Sequence, residues 1–183
     1  MCSIFMVGQS QFKIDEASSF VNWKGSKPTG EHFGTVKLKS GHFTYQDKKI
    51  VGGEFEIDMN SIINLDMPSD SESNAKLVKH LKSDDFFDVS KYPVAIFKLS
   101  STEPKGDKTL CTGNLTIKGI THQVAFLATV VQKGKTLSLK SETFTIDRSK
   151  WNIKFKSKSF FSDLGDKFID DDIELSVDVL AVN

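Results

Sequence analysis

The 183-residue chain lacks an excess of charge of either sign, since it carries 24 basic and 24 acidic side chains. Proteins that bind nucleic acid normally show a basic excess or a basic face, so this balance argues against nucleic acid as a partner. No apolar run approaches the roughly 18 residues that a membrane-spanning helix needs, and we therefore predict no transmembrane segment. A chain of this length is expected to form one domain with a sizeable core.

Cysteine and metal-binding patterns are scarce as well. Cys2 and Cys111 allow at most one disulfide and form no metal motif. We predict that they are not bridged, because Cys2 precedes the first strand signal, whereas Cys111 lies among strand residues as a small hydrophobic side chain. The four histidines do not show ligand spacing such as H-x₃₋₅-H, so no metal site is expected.

Enzyme motifs are also missing. No Ser, Cys or Lys stands in a nucleophile motif such as G-x-S-x-G, and the phosphate-binding G-x-x-x-x-G-K-[ST] pattern does not occur. The acidic stretches 66–74 and 170–172 do not have the spacing of a calcium-binding EF-hand loop and are interpreted as solvated loops. We therefore expect a protein that is not an enzyme and has no catalytic residues and no cofactor.

The amino terminus has no basic region and only a short apolar patch, so it is not an intact signal peptide. We predict that residues 1–11 form a flexible segment, a remnant of an export signal or of cloning. Residues 12–183 are expected to form the single domain.

Phenylalanine is abundant, with 15 Phe against two Tyr and two Trp, which favours an apolar interior over a hydrogen-bonding site. Short alternating runs separated by glycine predict eight to ten strands, without the strand–helix alternation of a parallel sheet. Such a one-sided antiparallel sheet tends to close on itself and remove its edges. The expected fold is all-β: a single antiparallel barrel of about eight strands, capped by one short helix and a loop.

Glycines mark three features of this sheet. Ser40-Gly41 and Lys118-Gly119 are both predicted to be two-residue hairpin turns, and Gly52-Gly53 is predicted to be a bulge or a close approach of two backbones. The turn at Lys118-Gly119 would pair Leu115 with His122 and keep the apolar residues of both strands on one face.

The alternation stops between residues 75 and 93. Apolar residues at near-helical spacing predict a short helix over 75–81, with Ser73 as its N-cap. Phe86 and Phe87 follow in a polar loop, where two large rings need an apolar surface to lie on. We predict that they form a lid over a core or cavity, with ordinary core filling beneath a long loop as the alternative.

Two stretches resemble the signature segments of the YceI-like, polyisoprenoid-binding family: 81–93 (LKSDDFFDVSKYP) and 113–121 (GNLTIKGIT). The stretches 32–36 and 52–58, and Arg148 with its following aromatic, also match that pattern, and the resemblance extends from about residue 12 to 181. Members of the family are lipocalin-like antiparallel barrels that hold an isoprenoid or similar lipid in an apolar pore. Most are exported by bacteria, often to the periplasm.

The resemblance implies that this chain binds and carries a long-chain apolar lipid, such as an isoprenoid or a prenyl quinone, without catalysis. It implies a periplasmic or otherwise exported protein, although the missing signal peptide leaves the cytoplasm open. A solid-core barrel that serves as an interaction or stress-response module is the main alternative, because inward side chains can fill a small barrel as readily as line it. An enzyme that acts on a lipid is a second, less favoured alternative. The sequence leaves open whether the protein forms a homodimer.

The predicted lipid-binding residues face inward in the strands or lie in the lid. They are Trp23, Val36, Leu38, Phe55, Ile57, Leu77, Leu81, Phe86, Phe87, Phe97, Leu99, Leu115, Ile117, Val124, Phe126, Phe144, Ile146, Leu175 and Val177. His122 and Arg148 are candidates for contact with a lipid headgroup. The alternatives are a satisfied core or rim histidine for His122, and an exposed ion pair or a structural bond at a strand end for Arg148.

Overall fold

The structure, a computed structural model, describes residues 9–183. Residues 1–8 lie outside this range, so most of the predicted flexible segment and the predicted absence of a Cys2–Cys111 bridge lie outside it too. The first strand begins at Ser10, two residues before the predicted domain boundary at residue 12.

Eleven strands and one α-helix make up the described part of the chain. The strands are β1 (Ser10–Ile14), β2 (Phe20–Lys27), β3 (Gly30–Gln46), β4 (Lys49–Asp58), β5 (Ile63–Asn64), β6 (Val94–Lys105), β7 (Lys108–Ile117), β8 (Ile120–Lys133), β9 (Thr136–Ser141), β10 (Phe144–Asp147) and β11 (Asp172–Val182). The helix is α1 (Glu72–Lys82), and the 3₁₀ turns are Glu16–Ser18, Met59–Ser61, Arg148–Trp151 and Gly165–Lys167.

Eight antiparallel strands close into a ring in the order β11, β2, β3, β4, β6, β7, β8, β9 and back to β11. Strand β1 pairs with both β3 and β11, β5 pairs with β3, and β10 pairs with β11 beyond the end of β9. The last strand therefore pairs with β1, β2, β9 and β10. The predicted single antiparallel barrel of about eight strands is confirmed.

The hairpin between β7 and β8 has the predicted register. Leu115 lies opposite His122, and Ile117 lies opposite Ile120. Lys118 and Gly119 both have positive φ angles, 50° and 75°, as a tight hairpin turn with the twist of its strands requires. The bulge at Gly52-Gly53 is also present, as a register shift beside Gly52 in the pairing of β3 with β4.

The turn predicted at Ser40-Gly41 is wrong, because β3 runs straight through it. Ser40 lies at a bulge opposite β4, and a Cβ atom on Gly41 would come within 2.6 Å of the Phe55 ring and 2.8 Å of the Glu54 carbonyl oxygen. Glycine is needed here because two strands approach closely, not because the chain reverses. The chain reverses instead at residues 47–48, where both residues have positive φ angles.

The predicted N-cap of the helix is also wrong. Ser71, not Ser73, accepts the capping hydrogen bond, from the Asn74 backbone N–H at 3.1 Å. The buried Asn74 amide donates to the carbonyl oxygens of Met67 and Pro68, at 3.0 and 3.2 Å. These hydrogen bonds hold the first turn of α1 against the preceding acidic loop. The helix therefore begins at Glu72, three residues before its apolar repeat.

The two ends of the barrel differ in their connections. At one end, which we call the turn end, the two-residue turns 47–48, 106–107 and 134–135 join neighbouring strands. The other end, which we call the loop end, carries both long connections, 59–93 and 148–171.

Each end has its own group of buried side chains. The turn end is filled by a cluster that includes Phe12, Phe43, Ile50, Cys111 and Leu137. The loop end holds a second cluster, in which residues of the long connections pack against the strands: Met59, Ile62, Phe86, Val89, Trp151 and Ile153.

Cys111 gives a direct test of the packing at the turn end. Its side chain is fully buried, and burial raises the pKa of the thiol to about 11. At pH 8 only about one thiol in a thousand would then be ionised, and the thiolate is the form that reacts. We expect iodoacetamide to leave Cys111 unmodified in the folded protein and to alkylate it in guanidinium chloride, as measured by peptide mass spectrometry. Equal labelling in both states would contradict this packing.

Candidate ligand-binding cavity

A cavity of about 220 Å³ occupies the barrel interior between the two clusters, and its wall is almost entirely apolar. By the same measure a single water molecule needs about 10–15 Å³, so this space is far larger than a packing defect. The barrel interior therefore contains a cavity, which favours a lined interior over a filled one, the two alternatives that the sequence leaves open.

All nineteen predicted lipid-binding residues lie on the wall of this cavity. Four phenylalanines form a row across it. The Phe97 ring lies between those of Phe55 and Phe126, with centroids 6.4 and 5.8 Å away, and Phe126 stacks on Phe144 at 4.7 Å. Contact of these residues with a lipid remains a prediction.

The wall also contains apolar residues that the prediction leaves out. They are Val21, Phe43, Met59, Ile62, Ala95, Leu139, Trp151, Ile153, Ile169, Ile173 and Val179. Val21, Ile173 and Val179 alternate with predicted wall residues in their own strands, so a signal for them is present in the sequence. Trp151, Ile153 and Ile169 lie in the long connection 148–171, where the chain has no strand or helix period that would indicate the direction of a side chain.

Residues 72–87, which we call the lid, cover the cavity at the loop end. Leu77 and Leu81 of α1 contribute to the wall together with Phe86 and Phe87. Phe86 is 8% exposed, and its ring meets the rings of His80 and Phe155, with centroid distances of 5.0 and 5.5 Å. The lid is therefore held against the second long connection as well as against the barrel.

Arg148 is buried at the start of that second connection. Its guanidinium donates to the carbonyl oxygens of Asp170, Ile153 and Ile169 at 3.0, 2.9 and 2.9 Å. Nη2 also lies 3.3 Å from Asp171 Oδ1, an ion pair without the alignment of a hydrogen bond. Burial lowers the pKa of the guanidinium, although neighbouring carboxylates oppose this. Three of its five N–H groups are thus used by the backbone, which corresponds to a structural bond at a strand end.

His122 lies outside the set of residues that line the cavity. Its Nε2 is 3.0 Å from the Lys150 carbonyl oxygen and therefore donates to it, and its ring meets Trp151 edge-on at 5.1 Å. These contacts describe a satisfied rim histidine, one of the two interpretations that the sequence allows.

The wall residues with polar side chains cluster at the loop end, and they are Ser26, Lys27, His32, Arg148 and Asp170. His32 Nδ1 lies 2.9 Å from Asp66, which fixes the orientation of the ring. Burial would raise the pKa of Asp66, but hydrogen bonds from His32, the backbone N–H of Phe33 and Asn64 together lower it. The cavity surface is therefore apolar throughout, and wall residues with polar side chains occur only at the loop end.

Within residues 9–183, no three side chains of His, Cys, Asp or Glu converge on a point where they could hold a metal ion. In the same part of the chain, the helices are too short or too polar to cross a membrane.

A family model described as a YceI-like domain matches residues 12–181. A UPF0312 protein of Pseudomonas putida is 37% identical to this chain over 131 residues, which are 69% of this chain and 65% of that protein. Protein YceI of Salmonella newport is 30% identical over 128 residues, which are 68% and 64% of the two chains. The chain thus spans less than two thirds of the length of these curated relatives.

Solved structures show the same barrel. BcnA of Burkholderia cenocepacia superposes with a TM-score of 0.71 at 24% identity, over 92% of this chain and 99% of that one. A polyisoprenoid-binding domain from Saccharophagus degradans superposes with a TM-score of 0.66 at 14% identity, over 93% and 97% of the two chains. At such identities the likeness concerns the fold.

Proposed function

This chain belongs to the YceI-like family, and from that premise we propose that it binds one long-chain apolar lipid, such as an isoprenoid or a prenyl quinone, inside its barrel. The observation that carries the proposal is the cavity of about 220 Å³ with its apolar wall. Burial of each CH₂ group contributes about 0.8 kcal/mol, so a five-carbon prenyl unit contributes ~3–4 kcal/mol before ordering costs. A few such units give useful affinity without polar chemistry.

We propose that the lipid enters at the loop end and keeps its headgroup there. The turn end is filled by buried side chains, whereas Lys27, His32 and Asp170 provide polar groups at the loop end. A polar headgroup is stable only where such groups or water can satisfy it. Lys27, His32 and Asp170 take the place of Arg148 and His122 in this proposal. His122 Nε2 and three of the five N–H groups of Arg148 already donate to backbone carbonyl oxygens.

Carriage without catalysis fits the chemistry of the wall. The side chains along the length of the cavity are hydrocarbon, and such groups bind a lipid chain but neither donate nor accept protons. Export to the periplasm belongs to the same proposal, and cell fractionation would test it.

The proposed function is tested by titrating delipidated protein with a fluorescent prenyl or fatty-acyl probe, with unlabelled chains as competitors. We expect saturable binding of one probe per chain and stronger competition by longer chains. Mass spectrometry of an organic extract of the purified protein identifies the natural ligand. If folded protein shows no saturable binding and its extract holds no lipid, a barrel that serves as an interaction module is the better answer.

The lid gives a separate prediction. Replacing both Phe86 and Phe87 with Ser removes apolar cover from the loop end, and we expect the bound probe to dissociate about tenfold faster or more. Stopped-flow release of the probe measures this rate. Phe33→Ser is the matched control, because Phe33 is 43% exposed and does not line the cavity. Collapse of the far-UV circular dichroism together with binding would instead assign the two rings to the core of the barrel.

A further inference from the structure

The segment 150–161 combines basic and aromatic residues at the loop end. It contains four lysines and no acidic residue, and it ends in the adjacent Phe160 and Phe161. All four lysines are exposed, and the two phenylalanines are 43% and 50% exposed. We call residues 150–161 the basic-aromatic segment.

The backbone of this segment holds its lysines on the outer side. Ile153 and Ser157 are buried, whereas the alternating Lys154, Lys156 and Lys158 are exposed. The Ser157 N–H donates to the Lys154 carbonyl oxygen at 3.0 Å, and the Ile169 N–H donates to the Lys156 carbonyl oxygen at 2.9 Å. The lysines are thus displayed from a fixed backbone.

The charges of the segment are not neutralised by neighbouring carboxylates. Lysines on the strands form ion pairs, such as Lys24 with Glu174 at 2.7 Å and Lys140 with Asp178 at 3.0 Å. Within residues 9–183, no carboxylate lies within 4.0 Å of the amino group of any of the four lysines.

The groups around these lysines are aromatic rings and two aspartate side chains. Lys154 lies 4.9 Å from the centre of the Phe160 ring, and Lys158 lies 3.3 Å from that of Phe168. Asp84 and Asp85 line the same surface groove as Lys154 and Lys156, but neither carboxylate forms an ion pair with these lysines. Four cations therefore remain available to an external anion.

Exposed apolar side chains are concentrated at the same end of the barrel. Of the eight large hydrophobic residues that are most exposed in the described chain, five lie at the loop end: Phe33, Ile63, Leu65, Phe160 and Phe161. Aromatic residues next to lysines are characteristic of protein surfaces that lie in the interface of an anionic membrane.

We propose that the basic-aromatic segment docks the loop end of the barrel onto an anionic phospholipid bilayer. The lysines face the lipid phosphates, and Phe160 and Phe161 enter the boundary between headgroups and acyl chains. The entrance of the cavity then faces the bilayer, so a hydrophobic ligand passes between them with little exposure to water. The transfer of a ligand between bilayer and cavity rests on the proposed lipid binding, whereas the docking itself does not.

Flotation of the full chain with vesicles tests the proposal. We expect binding to vesicles of phosphatidylcholine with phosphatidylglycerol, weak binding to phosphatidylcholine alone, and loss of binding at high salt, which screens charges. Replacing Lys154, Lys156 and Lys158 with Gln should lower the partition coefficient by roughly 100-fold at low salt, about fivefold per lysine. The matched control replaces Lys105, Lys133 and Lys135, which are exposed at the turn end, and should bind like the unmodified chain.

Equal losses in the two triple variants, or equal binding to both kinds of vesicle, would overturn the proposal. Probe titration in solution, without vesicles, separates it from the proposed function. Normal probe binding by a chain that does not bind vesicles refutes only the docking. Vesicle binding by a chain that takes up no probe refutes only the lipid cavity.

Discussion

Phe97→Asp is expected to abolish uptake of a prenyl probe, with a loss of at least about a hundredfold in affinity. Phe97 lies in β6, in the row of rings between Phe55 and Phe126, so the new carboxylate would lie in the apolar wall. Equilibrium titration with the fluorescent probe measures the affinity, and circular dichroism shows whether the barrel persists.

The effect of Phe97→Asp should depend on pH. Burial in an apolar wall raises the pKa of a carboxyl group, and the protonated form costs much less to bury. Probe binding by the variant should therefore recover in part as the pH is lowered through that raised pKa. Phe33→Asp, on the exposed outer side of β3, is the control and should bind the probe normally. Unchanged binding by Phe97→Asp would exclude this part of the barrel as the lipid site.

Arg148→Ala is expected to cause the largest loss of stability, about 3–5 kcal/mol in the free energy of unfolding. The substitution leaves the buried carbonyl oxygen of Ile153 and the half-buried ones of Ile169 and Asp170 without their donor, and acceptors removed from water without partners are costly. Arg148→Lys should recover little, because one ammonium group cannot reproduce the planar fork of a guanidinium. Urea unfolding measures both variants, with Lys150→Ala, an exposed neighbour, as the control.

Asp171 adds a pH dependence to this prediction. Burial would raise its pKa, but hydrogen bonds from Ser157 and Ser159 and the charge of Arg148 together lower it. Since the pKa in the folded state lies below that in the unfolded state, the stabilising contribution is present above about pH 4 and is lost as the pH falls through the folded value. Arg148→Ala should weaken this acid dependence. The role assigned to Arg148 would be contradicted if the variant were as stable as the unmodified chain and lost the same amount of stability at low pH.

Much of the barrel could be predicted because its strands alternate cleanly. The hairpin at Lys118-Gly119 was predictable down to individual pairs, since the turn and the apolar face require the same register. Ser40-Gly41 was predicted wrongly because a glycine that admits a neighbouring strand has the same local sequence as a glycine that turns the chain. The difference depends on Phe55 and Glu54 of β4, which local sequence does not include.

The candidate site was predictable for the strands and not for the long connections. Alternation indicates which side chains face inward, but it does not reveal whether they meet or leave a cavity between them. Trp151 and Ile153 reach the wall from a connection without periodicity. The partners of Arg148 are backbone carbonyl oxygens, which every residue has, so no sequence pattern could have identified them.

The position of β11 in the ring has a consequence for biosynthesis. This final strand pairs with β2 on one side and β9 on the other. Its residues lie about 150 positions from their partners in β2 along the chain. Until residues 172–182 leave the ribosome, β2 and β9 each have an unpaired edge, and such edges promote association with other chains. A nascent chain that stalls before Asp172 therefore cannot close its barrel, and a chaperone would have to cover the free edges of β2 and β9 until β11 has been synthesised.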